Sequence, residues 1–280
     1  GTVEHGRFDG YLAAGVNRLS VGVQSFDDDK LRRLGRIHSA ADAERAIKSA
    51  QDAGYANLNL DLMYALPGQT PDGALADVER AIALGAAHIS HYQLTLEPNT
   101  LFAARPPPLP DEDRAWDMQE ACQARLAEAG YAQYEVSAYA RAGRSCAHNL
   151  NYWQFGDYLG IGAGAHGKLS DAASGRIVRT SKFKLPRSYL EHAARGGTLG
   201  AHAEVAAAGL PFEFMMNALR LNDGVARPRV GERTGLAPDA IAATLEAAIG
   251  RGWLERDAAR LRATGLGRRW LNDVIALFLP

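Results

Sequence analysis

The feature that most constrains the fold of this chain is an alternation of short apolar runs with helical patterns over residues 18–140. Residues 18–24 alternate with the period of a strand, and residues 40–53 repeat small apolar side chains at helical spacing. Alternation of this kind predicts βαβ units, and therefore a parallel sheet with right-handed crossovers. Further strands are predicted at 57–63, 88–96 and 131–139, and further helices at 70–84 and 111–129.

Both an open Rossmann-type sheet and a closed or partial barrel satisfy this pattern. The dinucleotide signature GxGxxG is absent after the first strand. Polar residues stand at the ends of the predicted strands, among them Gln24, Asp61, Thr95 and Glu135. In a barrel-like array, function is located at those ends. Contact of the strand ends with solvent explains the same polarity, so both interpretations stay open.

Three side chains near the strand ends have chemistry suited to a polar ligand. The amide of Gln24 both donates and accepts hydrogen bonds, and the fork of Arg36 suits a carboxylate or ribose hydroxyls. Asp61 interrupts an apolar strand, so its carboxylate requires either a ligand or a partner such as Arg18. Residues 66–70 form either an anion site at a helix N-terminus or a turn with a cap.

The pattern changes after residue 140. Residues 141–183 are predicted to be rich in loops, with two histidines, His148 and His166, that are potential iron ligands. Two aromatic residues, Tyr152 and Trp153, follow His148 and favour a flat aromatic ligand nearby. The glycines between 160 and 167 allow a close approach of backbone to a cofactor.

The last seventy residues are predicted to be mostly helical. A hairpin-like stretch at 253–255 and 260–262 accompanies the helices, and the combination is typical of a small winged-helix module. Several arginines lie in this tail, which makes a nucleic-acid-binding protein one alternative. Interspersed acidic residues and a net charge of −1 for the whole chain argue against it. The predicted helices cover residues 212–221, 227–234, 238–250 and 266–278.

Several segments, taken in order, resemble the oxygen-independent coproporphyrinogen III oxidase family of radical S-adenosylmethionine (SAM) proteins. They are GVNRLSVGVQSF at 15–26, LGRIH at 34–38 and NLDLMYALPGQT at 59–70, together with the winged-helix-like tail. The run HNLNYW at 148–153 resembles the HNxxYW signature of the haem chaperone (HemW) branch of that family, and the glycines at 160–167 fit the same branch.

This resemblance implies an α/β fold: a partial (β/α)6 radical SAM barrel with associated loops over residues 1–183. A small α+β winged-helix-like domain is implied over residues 184–280. In this family SAM binds the open iron of a [4Fe–4S] cluster and is cleaved reductively to a 5′-deoxyadenosyl radical. By matching positions, the resemblance places Gln24, Arg36 and Asp61 in the SAM pocket. Thr95 and His166 fall at further pocket positions, where their residue types differ from those of the oxidase branch.

The chain departs from the family in its cysteines. Its two cysteines, Cys122 and Cys146, do not form the CxxxCxxC loop that carries the cluster. Three thiolates are needed to hold such a cluster. The chain also starts at Gly1 without a methionine. We therefore expect a truncated barrel without its first strands, with the cluster ligands upstream of residue 1 and no metal ligand in this chain.

The resemblance implies a haem chaperone that binds haem and transfers it to acceptor haemoproteins, with the cluster and SAM assisting. The expected haem-linked residues are His148, Asn149, Tyr152 and Trp153, whereas no catalytic residue is assigned and the status of the protein as an enzyme stays open. The alternative within the family is an oxygen-independent coproporphyrinogen III oxidase, or dehydrogenase, of porphyrin biosynthesis. We expect a cytoplasmic protein without a membrane span, open to peripheral membrane contact, that binds no nucleic acid.

Overall fold

A computed structural model describes residues 7–171 and 173–280. The expectation drawn from the start at Gly1 lies outside the described residues. The chain forms two compact units, Gly1–Ser145 and Cys146–Pro280. The predicted boundary between residues 183 and 184 follows the family resemblance and stays a prediction.

The first unit alternates strands and helices as the sequence pattern predicts. Its elements are α1 Phe8–Ala13, β1 Leu19–Gln24, α2 Asp28–Arg33, α3 Ala40–Asp52, β2 Leu58–Tyr64, α4 Pro71–Ala83, β3 His88–Gln93, α5 Leu101–Ala104, α6 Glu112–Glu128, β4 Ala132–Glu135 and β5 Ala138–Ala140.

Side-chain caps explain where the main helices of this unit begin. Ser39 and Asp42 form a capping box before α3, and the Thr70 side chain caps α4, which has proline at its first turn. Asp111 caps α6 through the backbone N–H of Arg114. The segment 66–70 therefore forms a turn followed by a cap. The Gln69 side chain accepts a hydrogen bond from the backbone N–H of Leu66 and closes the turn, and Thr70 caps the helix.

A single five-stranded sheet in the order β1-β2-β3-β5-β4 organises the first unit. The first three strands are parallel, as predicted. The predicted single strand over 131–139 is wrong, because the chain reverses there and β4 and β5 form an antiparallel pair. Its register shifts between Gln133 and Glu135, and such an irregularity bends a strand away from straight continuation. The sheet is mixed and does not close.

The hydrophobic core lies on one face of this sheet. Leu60, Leu62 and Ile89 from the strands pack with Met118 and Leu126 of α6, and all five are fully buried. Full burial of a large aliphatic side chain stabilises a fold by about 1.5–3 kcal/mol, so this layer dominates the stability of the unit. The opposite face of the strands carries the polar residues.

A buried carboxylate, Asp77 of α4, holds the turn that follows β1. It accepts hydrogen bonds from Ser25 Oγ at 2.8 Å, from the Phe26 backbone N–H at 2.6 Å and from Gln69 Nε2 at 3.3 Å. Burial raises the pKa of Asp77 to about 6, against the effect of these hydrogen bonds. The carboxyl end of β1 and the turn before α4 are thereby tied to one side chain.

The second unit contains a three-stranded antiparallel sheet, β6-β7-β8, followed by a helical region. The prediction that residues 141–183 are rich in loops is wrong where α7, β6 and β7 form. The elements are α7 Ala147–Trp153, β6 His166–Ser170, β7 Ile177–Lys182, α8 Pro186–Ala193, β8 Leu199–Glu204, a 3-10 turn Ala207–Gly209, α9 Leu210–Ala218, β9 Val225–Ala226, α10 Arg229–Thr234, α11 Ala242–Gly250, β10 Arg260–Leu261, α12 Gly265–Arg269 and α13 Leu271–Ala276.

The end of the chain follows the predicted helix–helix–strand pattern with two differences. The strand β10 pairs with β9, while the predicted hairpin survives as a bridge between Leu254 and Ala263. The predicted single helix over 266–278 is wrong, because it breaks at Trp270 into α12 and α13. Within the described residues, every helix is too short or too polar to cross a bilayer.

The buried imidazole of His91 generates a prediction about pH. His91 lies on the core face of β3, where it stacks on Tyr64 at 4.7 Å and burial lowers its pKa to about 4. An unfolded chain binds a proton there near pH 6.5 and the folded chain does not. The stability due to neutral His91 is thus complete above pH 6.5 and is lost as the pH falls towards 4, at a cost of up to about 3 kcal/mol.

Urea unfolding between pH 4 and 7.5 measures this effect. His91→Leu is expected to reduce the fall in unfolding free energy at low pH. Burial also lowers the pKa of His88 and raises that of Asp77. Both groups contribute equally to the pH dependence of wild type and His91→Leu, so they do not affect the comparison. Replacement of the exposed His202 by leucine is the control. An identical pH profile for wild type and His91→Leu contradicts the argument.

Candidate functional site

Polar side chains occupy the face of the first sheet that lies opposite the hydrophobic core. Parallel pairing in register places these residues in rows across β1, β2 and β3, because alternate residues of a strand share one face. The first row contains Ser20, Asn59 and His88, and the second contains Gly22, Asp61 and Ser90.

The carboxylate of Asp61 is bound by two neighbours on this polar face. Ser20 Oγ donates to its Oδ2 at 2.9 Å, and Asn59 Nδ2 donates to its Oδ1 at 2.8 Å. The alternative ion pair with Arg18 does not form, because the guanidinium of Arg18 donates to the side-chain oxygen of Asn57 instead, at 2.6 Å. Asp61 is half-buried, so part of the residue is open to solvent or a ligand.

Gln24 ends β1 in an unusual conformation. Its φ of 70° lies in the left-handed region, which costs a non-glycine residue energy and is concentrated at functional sites. The hydroxyl of Tyr92 donates to Gln24 Oε1 at 2.9 Å. A Cβ atom on Gly22 would lie 2.9 Å from Gln24 Nε2, so the glycine leaves room for the amide. The amide N–H groups therefore lie over Gly22, next to the row of Asp61.

The phenol of Tyr92 connects the predicted pocket residues. Burial and the charge of Asp61 raise its pKa, whereas the hydrogen bond to Gln24 and the charge of Arg36 act in the opposite direction. Arg36 is exposed in the segment that follows α2. Gln24 and Asp61 thus lie on the polar face near Tyr92, and the charge of Arg36 acts on the same phenol.

The assignment of the other two predicted pocket residues, Thr95 and His166, stays a prediction. Thr95 is exposed two positions beyond the end of β3 and makes no side-chain hydrogen bond within the described part of the chain. His166 begins β6 and belongs to the second unit.

The donors and acceptors around Tyr92 fit a ligand with amino acid and ribose groups. The Gln24 amide and the Arg36 guanidinium offer N–H groups to a carboxylate, and the Asp61 carboxylate accepts from hydroxyl or ammonium groups. The space over Gly22 would be reduced by any side chain at that position. These features match the groups of SAM.

The two cysteines do not fit an iron–sulfur cluster. Cys122 lies in the core of the first unit, where burial raises the pKa of its thiol to about 12, and Cys146 precedes α7 in the second unit. Across residues 7–171 and 173–280, no three His, Cys, Asp or Glu side chains are grouped so as to hold a metal ion. No chemical step through a cluster can therefore be derived from these residues.

A series of aromatic rings in the second unit contains two of the predicted haem-linked residues. His148 packs edge-on to Tyr152 at 4.6 Å between ring centroids, and Tyr152 packs on Tyr158 at 4.2 Å. The Tyr158 hydroxyl accepts a hydrogen bond from Arg179 at 2.9 Å, and Arg179 also pairs with Glu213. Arg179 thus holds the series in place at Tyr158, whereas His148 at the other end is exposed.

The ring of His148 is available to a ligand. The residue is exposed near the start of α7, and neither ring nitrogen forms a hydrogen bond within the described ranges. Neutral imidazole nitrogens are common iron ligands. The exposed edge of His148, with Tyr152 beside it, therefore fits a haem iron and part of a haem plane.

The other residues of the same helix contribute to packing. The guanidinium of Arg220 lies over the Trp153 ring at 4.6 Å, so Trp153 attaches α7 to the segment after α9. Asn151 Nδ2 donates to the Asp157 carbonyl at 2.9 Å and holds the turn after the helix. Asn149 is half-buried on α7.

Two of the glycines between 160 and 167, Gly160 and Gly167, allow close packing of the backbone. A Cβ atom on Gly160 would meet the backbone carbonyl of His166, and one on Gly167 would lie 2.6 Å from Thr180 Oγ1. Reciprocal backbone hydrogen bonds between Tyr158 and Lys168 close this loop at 2.9 and 3.0 Å. The loop thereby fixes the position of Tyr158.

Sequence reasoning missed Asn59, His88 and Tyr92 on the first sheet. Their signal is present, because all three alternate in phase with Asp61 along the strands or across the register. The link from Tyr158 to Arg179 and Glu213 has no local signal, since the three residues come from a loop, a strand and a helix separated along the chain.

Two family models match the chain. The model of the radical SAM superfamily matches residues 2–81, and the model of the HemN C-terminal domain matches residues 207–270. The first covers β1, β2 and most of α4, and the second covers the helices and short strands from α9 to α12.

Curated relatives match over the whole chain. The protein named heme chaperone HemW of Haemophilus influenzae is 50% identical over 279 residues, which are 100% of this chain and 72% of that protein. The protein of the same name in Escherichia coli is also 50% identical, with the same coverage. That of Bacillus subtilis is 34% identical over 95% of this chain and 70% of its own length.

A solved structure has the same fold. The coproporphyrinogen III oxidase HemN of Escherichia coli, described as a radical SAM enzyme, superposes with a TM-score of 0.79. It is 21% identical, over 99% of this chain and 67% of that chain. At this identity the likeness concerns the fold alone.

The close packing of Gly160 generates a prediction about stability. Gly160→Ala is expected to lower the unfolding free energy of the second unit by about 1–3 kcal/mol, because a backbone carbonyl cannot move aside for the added methyl group. Urea unfolding measures the change. Gly197→Ala is the matched control, since nothing lies within 4 Å of the added carbon. Equal stability of the two variants contradicts the packing role.

Proposed function

The chain belongs to the heme chaperone HemW family of radical SAM proteins, and from this premise we propose that its protein binds haem and transfers it to acceptor haemoproteins. The observation that supports the proposal is the exposed imidazole of His148, whose two ring nitrogens are without hydrogen-bond partners in the described structure. Identity of 50% with proteins named heme chaperone HemW is the second support.

In this proposal a ring nitrogen of His148 coordinates haem iron. Tyr152 lies against the edge of the imidazole and restricts its rotation. Tyr158, Arg179 and Glu213 hold Tyr152 from the other side, so the imidazole is presented in one orientation. A ligand on a short exposed helix remains reachable by an acceptor protein, which suits a haem that is bound for transfer.

We further propose SAM as the ligand of the polar face in the first unit. When bound with a reduced cluster, SAM supplies radical chemistry, and Gln24, Arg36 and Asp61 bind and orient its amino acid and ribose groups. Asp61 accepts from hydroxyl or ammonium groups, while Gln24 and Arg36 donate to carboxylate oxygens. A role of Thr95 and of His166 in binding SAM stays a proposal from the family resemblance. A cytoplasmic location stays a prediction from the sequence.

Haem titration tests the role of His148. Under anaerobic conditions, His148→Ala in the protein from its complete coding sequence is expected to weaken haem binding by roughly tenfold or more and to change the haem absorption spectrum, because an iron ligand is lost. His202→Ala, which removes another exposed histidine of the second unit, should bind haem as the wild type does. Unchanged affinity and spectrum in His148→Ala would falsify the assignment.

A second prediction concerns the space over Gly22. The methyl group of Gly22→Ala is expected to displace the Gln24 amide and weaken SAM binding about fivefold or more, the cost of a misplaced hydrogen bond. Stability should be unchanged or rise by up to about 1 kcal/mol, because alanine suits a strand better than glycine does. Calorimetric SAM titration and urea unfolding measure the two effects.

The control for Gly22→Ala is Gly10→Ala on α1, where nothing lies within 4 Å of the added carbon. This control should keep the wild-type affinity for SAM. If Gly22→Ala also binds SAM with wild-type affinity, the Gln24 amide does not contact the ligand.

A further inference from the structure

We propose that Asn59 and His88 are positioning residues that orient the Asp61 carboxylate for its ligand. The proposal rests on the proposed binding of SAM by Asp61 and adds two residues that lie beneath that contact. They stand one row below Asp61 on the polar face of the sheet, directly opposite each other in the register of β2 and β3.

The direction of the hydrogen bonds starts from Asp61. A carboxylate only accepts, so the atoms of Asn59 and Ser20 that contact it must be donors. Asn59 Nδ2 donates to Asp61 Oδ1 at 2.8 Å and to Ser20 Oγ at 2.7 Å, and Ser20 Oγ in turn donates a hydrogen bond to Asp61 Oδ2 at 2.9 Å. The amide of Asn59 therefore has one orientation, with its oxygen turned away from Asp61.

That amide oxygen determines the state of His88. His88 Nδ1 lies 2.6 Å from Asn59 Oδ1, and because this oxygen only accepts, Nδ1 carries the proton. Burial lowers the pKa of His88 to about 3, so the ring is neutral and Nε2 is an acceptor. The Tyr134 hydroxyl, 2.9 Å away, donates to Nε2. Each hydrogen bond in the series Tyr134, His88, Asn59 and Asp61 is consequently donated towards Asp61.

Burial makes this arrangement rigid. Asn59 is 4% exposed and His88 is 1% exposed, whereas Asp61 is half-buried at the open end of the chain of bonds. Asn59 Oδ1 also accepts a hydrogen bond from Ser90 Oγ at 3.1 Å, so His88, at 2.6 Å, is the closer of two donors that hold the amide in one orientation. Loss of a partner costs a buried amide more than an exposed one. A ligand at Asp61 then meets a carboxylate whose rotation is already fixed, which reduces the ordering cost of binding.

A purely structural role predicts a different response to substitution at position 88. The side-chain nitrogen of asparagine takes the place of the histidine Nδ1, so His88→Asn keeps the donor to Asn59 but loses the ring and the acceptor for Tyr134. His88→Leu fills the space with a side chain that cannot donate. For stability, asparagine is the worse replacement, since it leaves a cavity among polar groups. For the positioning of Asp61, asparagine is the better replacement, because it keeps the donor to Asn59.

The experiment titrates SAM by calorimetry into the anaerobic, cluster-loaded protein from its complete coding sequence and measures urea unfolding of the same samples. We expect His88→Leu to raise the dissociation constant of SAM about tenfold and His88→Asn to stay within about threefold of the wild type. The unfolding free energy of His88→Leu should equal or exceed that of His88→Asn, which is not the order expected for their affinities for SAM. A loss of affinity that follows the loss of stability in both variants, or no loss in His88→Leu, overturns the proposal.

A second variant covers the case in which His88→Leu does not fold. Ser20→Ala removes the other donor to Asp61 from the exposed side of β1, where no core contact is lost, and is expected to raise the dissociation constant severalfold. Wild-type affinity in Ser20→Ala contradicts the proposal. Wild-type protein that does not bind SAM at all overturns the SAM pocket together with its positioning residues, whereas haem binding through His148 is measured separately.

Discussion

The parallel register of β1, β2 and β3 is the constraint on which the first unit depends. It places Asn59 opposite both Ser20 and His88, and Asp61 opposite Gly22. A slip by one residue would turn these polar groups into the core and expose the apolar face. The hydrogen bonds of Asn59 and the apolar packing on the other face thus specify the same alignment, and the candidate pocket follows from that alignment.

The two units use their functional motifs in different ways. In the first, the residues singled out by sequence lie around one phenol, Tyr92, and their immediate neighbours hold them in place. In the second, the HNxxYW run contains both an exposed side chain and side chains that pack its helix. His148 is exposed and without a hydrogen-bond partner in the part of the chain that the structure describes, while Trp153 packs under Arg220. A short motif therefore combines the proposed ligand of haem iron with the groups that hold its helix.

The predictable parts of the structure were those encoded locally. Strand periodicity, the caps Ser39 and Thr70, and the prolines and glycines at helix ends set the order and bounds of the βαβ units. The β4–β5 pair was missed because residues 131–139 are continuously strand-like and the reversal depends on a shift in register. The strands β6 and β7 were missed because their sequences, HGKLS and IVRTSK, do not alternate polar and apolar residues.

The site was predictable to the same degree. Gln24, Arg36 and Asp61 were predicted as pocket residues from residue type, position and family resemblance. Asn59 and His88 needed the pairing of two strands, which the alternation around Asp61 implied. Tyr158, Arg179 and Glu213 needed three-dimensional packing that no short segment encodes. Local chemistry thus identified groups suited to ligands, whereas tertiary structure was needed to identify the groups that position them.

The most direct measurement of the central claim is haem transfer. The protein from its complete coding sequence, loaded with haem under anaerobic conditions, is mixed with an apo-haemoprotein and the two are separated. The account predicts that haem leaves the loaded protein and that the acceptor gains its own haem spectrum. Haem that stays behind, in a protein that instead decarboxylates coproporphyrinogen III when given SAM and a reductant, would contradict it.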